Sequence, residues 1–348
     1  MQDFVHLHVH TYYSILDGQA SIPKLVDKAV GNGMRGMAIT DHGNMMGIKE
    51  FFNYCKGING KRKDKGEEPF KPIFGCEMYV VRNGRLAKNE RGYHNLIKLV
   101  SKAWVEGFYG RPRTDHVELE KHSEGLIVCS ACIAGEVPAK ILNDDIKGAE
   151  EAILWFKRVF GDDYYLELQR HEEKRPDIKA NRETFPLQQR ANKVIIELAH
   201  KHGVKLVCTN DSHFVDEENA EAHDRLLCLS TGKDLDDPTR MLYSKQEWFK
   251  TREEMNEVFS DVPEALANTC EILDKVETYS IDHDPIMPFF PIPEEFGTEE
   301  EYRARLTEQQ LYDEFTSDEN GQNPLPPEEG AKKIKKLGGY DRLYRIKF

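Results

Sequence analysis

Histidines at every second position open this chain, and residues of that type in that spacing can bind a metal. The opening segment reads FVHLHVHT, in which His6, His8 and His10 alternate. On a β-strand, alternate side chains share one face, so the three imidazoles would lie side by side. Proteins rarely line a strand face with histidines unless something binds them, and a metal is the commonest such ligand. We therefore predict a metal site here, with His8 and His10 as ligands and His6 as a packing residue.

Further side chains of ligand type follow, most of them just after a predicted strand. The candidate metal ligands are His8, His10, Asp17, His42, Glu77, Cys132, Asp211 and His213. About four protein ligands fill one zinc site, so a set of this size implies two or three divalent metal ions. Zinc suits the mixture of imidazole, carboxylate and thiolate best, and manganese or iron suits it where oxygen ligands dominate. Paired ions about 3.5–4 Å apart clamp a phosphoryl group and activate water, so the set predicts phosphoester hydrolysis. The candidate catalytic residues are its carboxylates, Asp17, Glu77 and Asp211.

Each of these residues also has a structural interpretation. The Asp17-Gly18 pair is typical of a turn, and Asp41 before His42 could cap a helix or orient a ligand. Cys132 by itself would be a core thiol in most proteins. Glu77 lies among apolar residues, where a carboxylate needs a partner. The metal-site prediction therefore rests on the recurrence of such residues at successive strand ends.

The elements that would position these residues alternate between strand and helix. Predicted strands cover Phe4–Val9, Gly36–Thr40, Lys71–Val81, Gly125–Cys129, Tyr164–Gln169 and Lys205–Thr209. One predicted helix follows Ser21 as its N-cap, and another spans Leu187–Lys201. This alternation predicts an α/β fold with a mostly parallel sheet and outer helices. A β/α barrel suits the number of strands, and its active site would lie at the C-terminal strand ends. An open sheet fits the same pattern.

Composition limits the classes of function. The net charge of −13 is not that of a protein that wraps nucleic acid unaided, although bound metals can supply local positive charge. We predict a solvated loop for the basic stretch Lys56–Lys65. The seven dispersed cysteines, including the pair Cys129 and Cys132, argue against a disulfide framework. Neither a signal peptide nor an 18-residue apolar run is present, so we expect a cytoplasmic protein without a membrane partner.

The character of the sequence changes near Asp284. The proline-rich segment DPIMPFFPIP predicts an extended connector over residues 284–298. A helix is predicted near Glu299–Phe315, followed by a polar loop and a basic helix. We therefore expect a metal-binding domain over residues 1–283, the connector, and the truncated beginning of a second domain over residues 299–348.

The motif blocks around the candidate ligands resemble those of the PHP (polymerase and histidinol phosphatase) superfamily. These blocks are HLHVHTYYSILDG, AITDHGNMMG, GCEMYV, GLIVCSACIAGEVP and CTNDSHFV. The blocks GYHNLIKLVSKAWVEGFYGRPRTD, YYLELQRH and DPIMPFFPIP are similar to the branch that opens the bacterial replicative DNA polymerases of the C family. The resemblance covers essentially the whole chain. It implies a distorted, seven-stranded, TIM-like β/α barrel with up to three metals, and it makes residues 299–348 the start of a polymerase palm region.

The resemblance also implies a ligand set for each ion. The first ion would be held by His8, His10, Glu77 and Asp211. The second would be held by Asp17, His42 and His213, and the third by a bridging Glu77 and Cys132. The family has one more ligand, a histidine at the start of a strand resembling HLxLLA. Here the corresponding stretch, residues 83–90, reads NGRLAKNE, and the nearby His94 matches a different family position. The third ion is therefore expected to lack a ligand, unless residues are missing from the sequence.

Two functions of different classes follow from the resemblance. The first is a metal-dependent phosphoesterase, a proofreading 3′–5′ exonuclease that acts on the primer 3′ end of DNA. The second is a catalytically silent, metal-stabilised platform that supports the polymerase and docks a separate proofreading exonuclease. In the intact protein the resemblance implies DNA-directed DNA synthesis, a nucleotidyltransferase reaction, with that exonuclease and a sliding clamp among its partner subunits. This fragment is expected to lack the polymerase site. A histidinol-phosphate phosphatase fits the fold but not the additional blocks.

Overall fold

The chain forms two compact units. The computed structural model describes residues 1–79, 83–288, 295, 297–318 and 320–347. The first unit is Met1–His283 and the second is Asp284–Phe348. Part of the predicted connector, and the end of the strand predicted over Lys71–Val81, lie outside the described residues.

The first unit is built on a six-stranded sheet with the order β1-β2-β3-β6-β7-β8. Its strands are β1 (Gly36–Ile39), β2 (Lys71–Met78), β3 (Asn83–Ala87), β6 (Leu126–Cys129), β7 (Tyr164–Leu168) and β8 (Lys205–Cys208). The pairs β1–β2, β6–β7 and β7–β8 are parallel, whereas β3 runs antiparallel to both of its neighbours. Strands β1, β6 and β7 are buried along their whole length, which explains the unbroken apolar sequences of β1 and β6, while β7 also buries the carboxylate of Glu167. The α/β prediction is confirmed, but the sheet is more mixed than the sequence indicated.

The predicted first strand is an extended segment rather than a regular strand. Only Val9 forms a ladder bridge, with Ser212. On one side, the backbone N–H of Ala38 in β1 donates to the carbonyl oxygen of His6 over 2.8 Å. On the other side, the N–H of Ser212, beyond β8, donates to the carbonyl oxygen of His8 over 3.2 Å. The segment therefore lies between the two outer strands, and the sheet curls around it as six strands and one extended segment instead of seven regular strands.

Helices cover the outside of this sheet. They are α1 (Ile22–Gly31), α2 (Ile48–Asp64), α3 (Glu90–Val105), α4 (His116–Lys121), α5 (Glu136–Leu142), α6 (Ile146–Phe160), α7 (Thr184–His202), α8 (Ala220–Thr231), α9 (Arg252–Val258) and α10 (Pro263–Lys275). Helix α1 buries Ile22, Leu25, Val26 and Ala29 on one side, and Ser21 is its N-cap residue, as predicted. Helix α7 extends the predicted span by a turn at its start and ends at Gly203, whose φ is +60°.

The loop predicted for the basic stretch Lys56–Lys65 is wrong, because the stretch continues helix α2. The first half of that helix buries Phe51, Phe52 and Cys55, so its register is set by apolar packing. The basic residues Lys61, Arg62 and Lys63 lie in its last turn, where positive charge is favourable beside the free carbonyl groups of a helix end. Tertiary packing upstream therefore outweighs the loop-like composition.

A two-stranded hairpin projects from the barrel after α3. Its strands are β4 (Phe108–Tyr109) and β5 (Arg111–Pro112). The turn between them is Gly110, whose φ of +68° favours glycine.

The described residues of the second unit contain four helices, α11 (Glu299–Arg305), α12 (Glu308–Thr316), α13 (Pro327–Lys336) and α14 (Gly339–Lys347). The single helix predicted near Glu299–Phe315 is wrong, because Thr307 begins a new helix by a reciprocal capping box with Gln310. A small core of Leu311, Ile334 and Leu343 holds the helices together.

Candidate metal centre

The candidate ligands converge from six parts of the barrel into one cleft. The extended first segment carries His8 and His10, and the turn after it carries Asp17. The other ligands lie on β2 (Glu77), or after the ends of β1 (His42), β6 (Cys132) and β8 (Asp211 and His213). The cleft above them has a volume of about 600 Å³. The sequence prediction that these residues meet at the C-terminal strand ends therefore agrees with their placement.

Three donor atoms form a compact triangle at the floor of the cleft. The Nε2 atoms of His8 and His10 are 3.1 Å apart, and each is 3.2 Å from Oδ1 of Asp211. For a tetrahedral ion with bonds of about 2.0–2.1 Å, ligand atoms are separated by about 3.3 Å. The triangle therefore has the size that such an ion requires.

A second donor set lies beside the first and shares His10 with it. His10, His42 and His213 offer ring nitrogens that all lie within 4.8 Å of one another. The His10 ring packs against both others, with centroid separations of 4.0 Å to His42 and 4.4 Å to His213. Oδ2 of Asp17 is 2.6 Å from Nε2 of His42 and 3.5 Å from Nε2 of His213. The structure thus groups Asp17, His42 and His213 as the resemblance implies, and it adds His10.

Glu77 lies between these groups. Its Oε2 is 2.5 Å from Nδ1 of His42, while its Oε1 is 3.9 Å from Nε2 of His8 and 3.8 Å from Sγ of Cys132. The two carboxylate oxygens therefore face different neighbours, as a bridging ligand requires.

Of the ligands expected for the third ion, the described residues bring together Glu77 and Cys132. In the sequence no histidine lies between His42 and His94, so β3 brings no imidazole to the cleft. The side chain of His94 is 62% exposed, and its neighbour is Glu90 on the same helix, at 3.9 Å. His94 is therefore not placed to substitute for the family ligand.

Burial and neighbouring charges give the histidines of the centre different pKa values. Burial opposes protonation of His8, but the carboxylates of Asp211 and Glu167 outweigh it and raise its pKa to about 10. Burial lowers the pKa of His10 to about 3, and the neighbouring His42 and His213 act in the same direction. Burial raises the pKa of Asp17, but His213 and His42 more than offset it and hold that pKa well below its usual range. Without a metal, the centre therefore combines an ionised Asp17 with a neutral His10, the form of imidazole that binds metals, and with a protonated His8, whose proton a bound ion would displace.

Two buried atoms in the centre fit a metal ion directly. Oδ1 of Asp211 and Nε2 of His213 have no hydrogen-bond partner among the described residues. Leaving such atoms unsatisfied costs about 1–3 kcal/mol each. Both point into the donor sets, so a bound cation would satisfy them. The residues present therefore fit a metal centre.

The sequence reasoning missed Glu167, the carboxylate that holds His8. Glu167 lies on β7 and is 2% exposed, and its Oε1 is 2.8 Å from Nδ1 of His8. Its Oε2 accepts a hydrogen bond from the backbone N–H of Ala131, next to Cys132. The signal was available, because Glu167 is a carboxylate in an apolar strand, as Glu77 is.

Other residues orient the candidate ligands through hydrogen bonds. Oδ1 of Asp41 accepts hydrogen bonds from the N–H of Thr11 and from the hydroxyl of Ser14, whose oxygen is 3.0 Å from Nδ1 of His10. Of the two roles left open for Asp41, the structure thus favours the orienting one.

The hydroxyl of Tyr243, which the sequence reasoning missed, lies 3.1 Å from Oδ1 of Asp17. His6 lies apart from the donor sets, where its ring packs on Phe249 and its Nε2–H donates to a backbone carbonyl.

Comparison with known proteins agrees with this site. The family model "PHP domain" matches residues 6–171, which contain six of the eight candidate ligands. Residues 6–171 of the chain therefore belong to a PHP domain.

The relatives of the chain define its type within the family. DNA polymerase III subunit alpha of Borreliella burgdorferi is 42% identical over 323 residues, covering 87% of this chain and 26% of the relative. The same subunit of Treponema pallidum is 37% identical over 331 residues, covering 90% of this chain and 26% of the relative. The recognition from motif blocks is thus confirmed: this is a PHP domain of the DNA polymerase III alpha type. The chain spans about a quarter of the length of these relatives.

Among solved structures, the histidinol phosphate phosphatase of Lactococcus lactis, complexed with zinc, L-histidinol and phosphate, aligns with 72% of this chain and 100% of that chain. The TM-score is 0.30 and the sequence identity is 11%. Within the described residues, no helix of this chain is long and apolar enough to cross a membrane.

Proposed function

We propose that the cleft is a multi-metal phosphoesterase site that removes nucleotides from the 3′ end of DNA, as a proofreading 3′–5′ exonuclease. The observation that carries the proposal is the pair of donor sets that share His10, one of which contains Asp211, with the carboxylates of Asp17 and Glu77 beside them. The similarity to DNA polymerase III alpha subunits favours DNA over a small phosphomonoester as the substrate.

The residues divide the work at the centre. His8, His10 and Asp211 would hold one divalent ion, and Asp17, His42 and His213 a second. Zinc is the expected metal, with manganese or iron as alternatives. Bound there, such ions activate water and neutralise the charge that develops on the phosphoryl oxygens.

The carboxylates of Glu77 and Asp17 would position the ions and the neighbouring ligands. Glu77 faces both groups with separate oxygens, so it would bridge them, and together with Cys132 it would serve a third ion. Tyr243 donates a hydrogen bond to Asp17, so that carboxylate keeps one orientation toward His42. Buried ligands held in this way need little rearrangement when a substrate binds.

The test is a nuclease assay on the 348-residue chain. Metal-loaded protein should shorten primed DNA from its 3′ end, and a chelator should abolish the reaction. The double variant His8→Ala/Asp211→Ala should be inactive because it loses two corners of the donor triangle. His94→Ala, which removes an exposed histidine outside the cleft, is the matched control and should retain full activity. Equal activity of the double variant and the control would refute the proposal.

A second candidate function is a catalytically silent platform stabilised by its metals. The observation that favours it is the absence of a histidine from the β3 sequence, which leaves the third group with two ligands. On this alternative, removal of the metals should lower the melting temperature while no nuclease activity appears with zinc, manganese or iron. Nuclease activity that depends on the donor triangle would exclude it.

For the whole protein we propose DNA-directed DNA synthesis in the cytoplasm, as a subunit that works with a proofreading exonuclease and a sliding clamp. The similarity to the alpha subunits supports this role. A nucleotide-incorporation assay on the present chain tests whether synthesis needs the rest of such a subunit, and we expect no incorporation.

A further inference from the structure

One wall of the cleft carries exposed aromatic rings that the proposed hydrolysis does not use. Trp104, in the last turn of α3, is 43% exposed, and Phe108 and Tyr109 in β4 are 54% and 79% exposed. The rings of Trp104 and Phe108 are stacked, with centroids 5.5 Å apart and planes inclined by 19°. Trp104 and Phe108 both line the cleft. Adjacent exposed aromatic rings of this kind mark a surface that binds something.

These rings are attached to the turn that bears a candidate ligand. The indole N–H of Trp104 donates to the carbonyl oxygen of Gly43 over 2.8 Å, and Gly43 directly follows His42. A Cβ atom at Gly43 would lie 2.7 Å from Cγ of Pro112 in the hairpin, so the turn and the hairpin pack without space between them. The aromatic wall therefore keeps a constant position relative to the metal centre.

Positive charge accompanies the rings. The guanidinium of Arg111 lies over the Tyr79 ring, 4.8 Å from its centroid, and that of Arg113 lies 5.4 Å from the centroid of Tyr109. Among the cleft-lining residues in the described part of the chain, Arg111 is the one arginine, and none is a lysine. In a chain of net charge −13, this wall offers a cation to a polyanion.

We propose that Trp104, Phe108 and Arg111 form a stacking platform for an unpaired base at the end of a single-stranded DNA segment. An aromatic face accepts any base, and a neighbouring arginine binds the backbone phosphate, which is how single strands are held without sequence preference. The occupant is a nucleic acid strand because the platform is continuous with a metal centre suited to phosphodiesters and carries a cation beside its rings. The inference rests on the proposed function and deepens it, since it names the feature that selects a polynucleotide end.

The test measures binding rather than turnover. Fluorescence anisotropy of a labelled ten-nucleotide single strand with non-hydrolysable linkages is followed with the metal-loaded 348-residue chain. Phe108→Ala should weaken binding by about 5- to 100-fold, the loss expected for one stacked base. Phe108→Tyr keeps an aromatic face and should bind as the wild type does. Val117→Ala, an exposed apolar residue on α4 that does not line the cleft, is the matched control and should have no effect.

Two further measurements keep the proposal falsifiable if Phe108→Ala does not fold. A strand with an abasic 3′ end should bind to the wild type about as weakly as the intact strand binds to Phe108→Ala. Arg111→Ala should lower the slope of log affinity against log salt concentration by about one, while Arg111→Lys should preserve it. Equal affinity for intact and abasic strands, or no binding of the single strand by the wild type, would overturn the proposal. Weakening by Val117→Ala as strong as by Phe108→Ala would do the same, and would point to a protein partner on a wider apolar surface.

The outcome is separable from that of the proposed function. If the wild type binds the strand through Phe108 but hydrolyses neither DNA nor a small phosphodiester, the platform stands and the phosphoesterase proposal fails. If it hydrolyses a small phosphodiester while Phe108→Ala leaves strand binding unchanged, the phosphoesterase stands and the platform fails.

Discussion

Replacing Glu167 by glutamine should weaken metal binding without removing any metal ligand. The Oε1 atom of Glu167 accepts hydrogen bonds from three side chains at once, which belong to His8, Thr209 and Gln169. The Oε2 atom accepts the backbone N–H of Ala131 over 3.0 Å. With donors on both sides, a carboxylate satisfies every contact, whereas an amide must point its own N–H₂ group toward one set of donors.

The magnitude follows from these contacts. In its better orientation the glutamine keeps its oxygen toward His8 and loses the bond to Ala131, which lies beside Cys132 and has a φ of +61°. In the other orientation the N–H₂ group of the glutamine faces all three side-chain donors, so none of those hydrogen bonds can form. Either way the full negative charge behind His8 is lost. Loss of a partner that orients a metal-bound histidine costs about 10- to 100-fold in metal affinity. That range corresponds to about 1.4–2.7 kcal/mol.

Competition with a chromophoric chelator at fixed pH measures this change in zinc affinity. Glu271→Gln is the matched control, because Glu271 is also a glutamate in a hydrogen-bonded network but contacts Tyr165 and Lys205 on the barrel exterior. We expect less than about a twofold change for this control, since no ligand contact is altered. If Glu167→Gln binds zinc as tightly as the wild type, the carboxylate does not orient His8 and the reasoning is refuted.

Four further predictions concern the stability of the barrel. Gly43→Ala should destabilise the first unit by about 1–3 kcal/mol in urea unfolding, because the residue has a φ of +60° and its new Cβ would meet Pro112. Gly57 lies in helix α2, where an added Cβ meets no described atom within 4 Å, so Gly57→Ala should instead stabilise the first unit by about 0.5–1 kcal/mol. A destabilised Gly57→Ala variant would contradict the assignment of residue 57 to a helix. Burial lowers the pKa of Lys250 to about 7, so between pH 7 and pH 10 this lysine binds more protons in the unfolded chain and adds at most about 4 kcal/mol to the unfolding free energy as the pH rises, whereas His8, with a raised pKa, acts in the opposite direction. In urea titrations at successive pH values, the slope of unfolding free energy against pH should therefore be less positive for Lys250→Met than for the wild type, and equal slopes would refute the burial argument. Chelation should lower the melting temperature of the wild type and of His94→Ala alike, because His94 lies outside the cleft; a smaller shift in His94→Ala would show that it binds metal.

Local patterns in the sequence predicted much of the fold. Strand boundaries at Gly36, Tyr164 and Lys205 were predicted correctly, because buried strands need continuous apolar residues and end where polar residues begin. The two helix errors have different causes. The helix over Lys56–Lys65 depends on apolar packing upstream, which composition does not record, whereas the break at Thr307 has a local signal in the sequence, the capping box with Gln310, that the prediction overlooked.

The sequence by itself determined the set of candidate ligand residues and their position at the ends of strands. His8, His10, His42, Asp211 and His213 could be chosen because their types and their spacing from apolar runs are local properties. Their roles as metal ligands stay a prediction that the affinity measurements test.

Tertiary structure alone decided how these residues group. That His10 belongs to both donor sets depends on which rings the curled sheet brings together, whereas His6 packs on Phe249 as the sequence analysis predicted. The same holds for Glu167, which meets His8 across a separation of 159 positions. Distances of about 3 Å between atoms so far apart in sequence are set by strand pairing and sheet closure. Those are non-local packing events, and no periodicity along the chain encodes them.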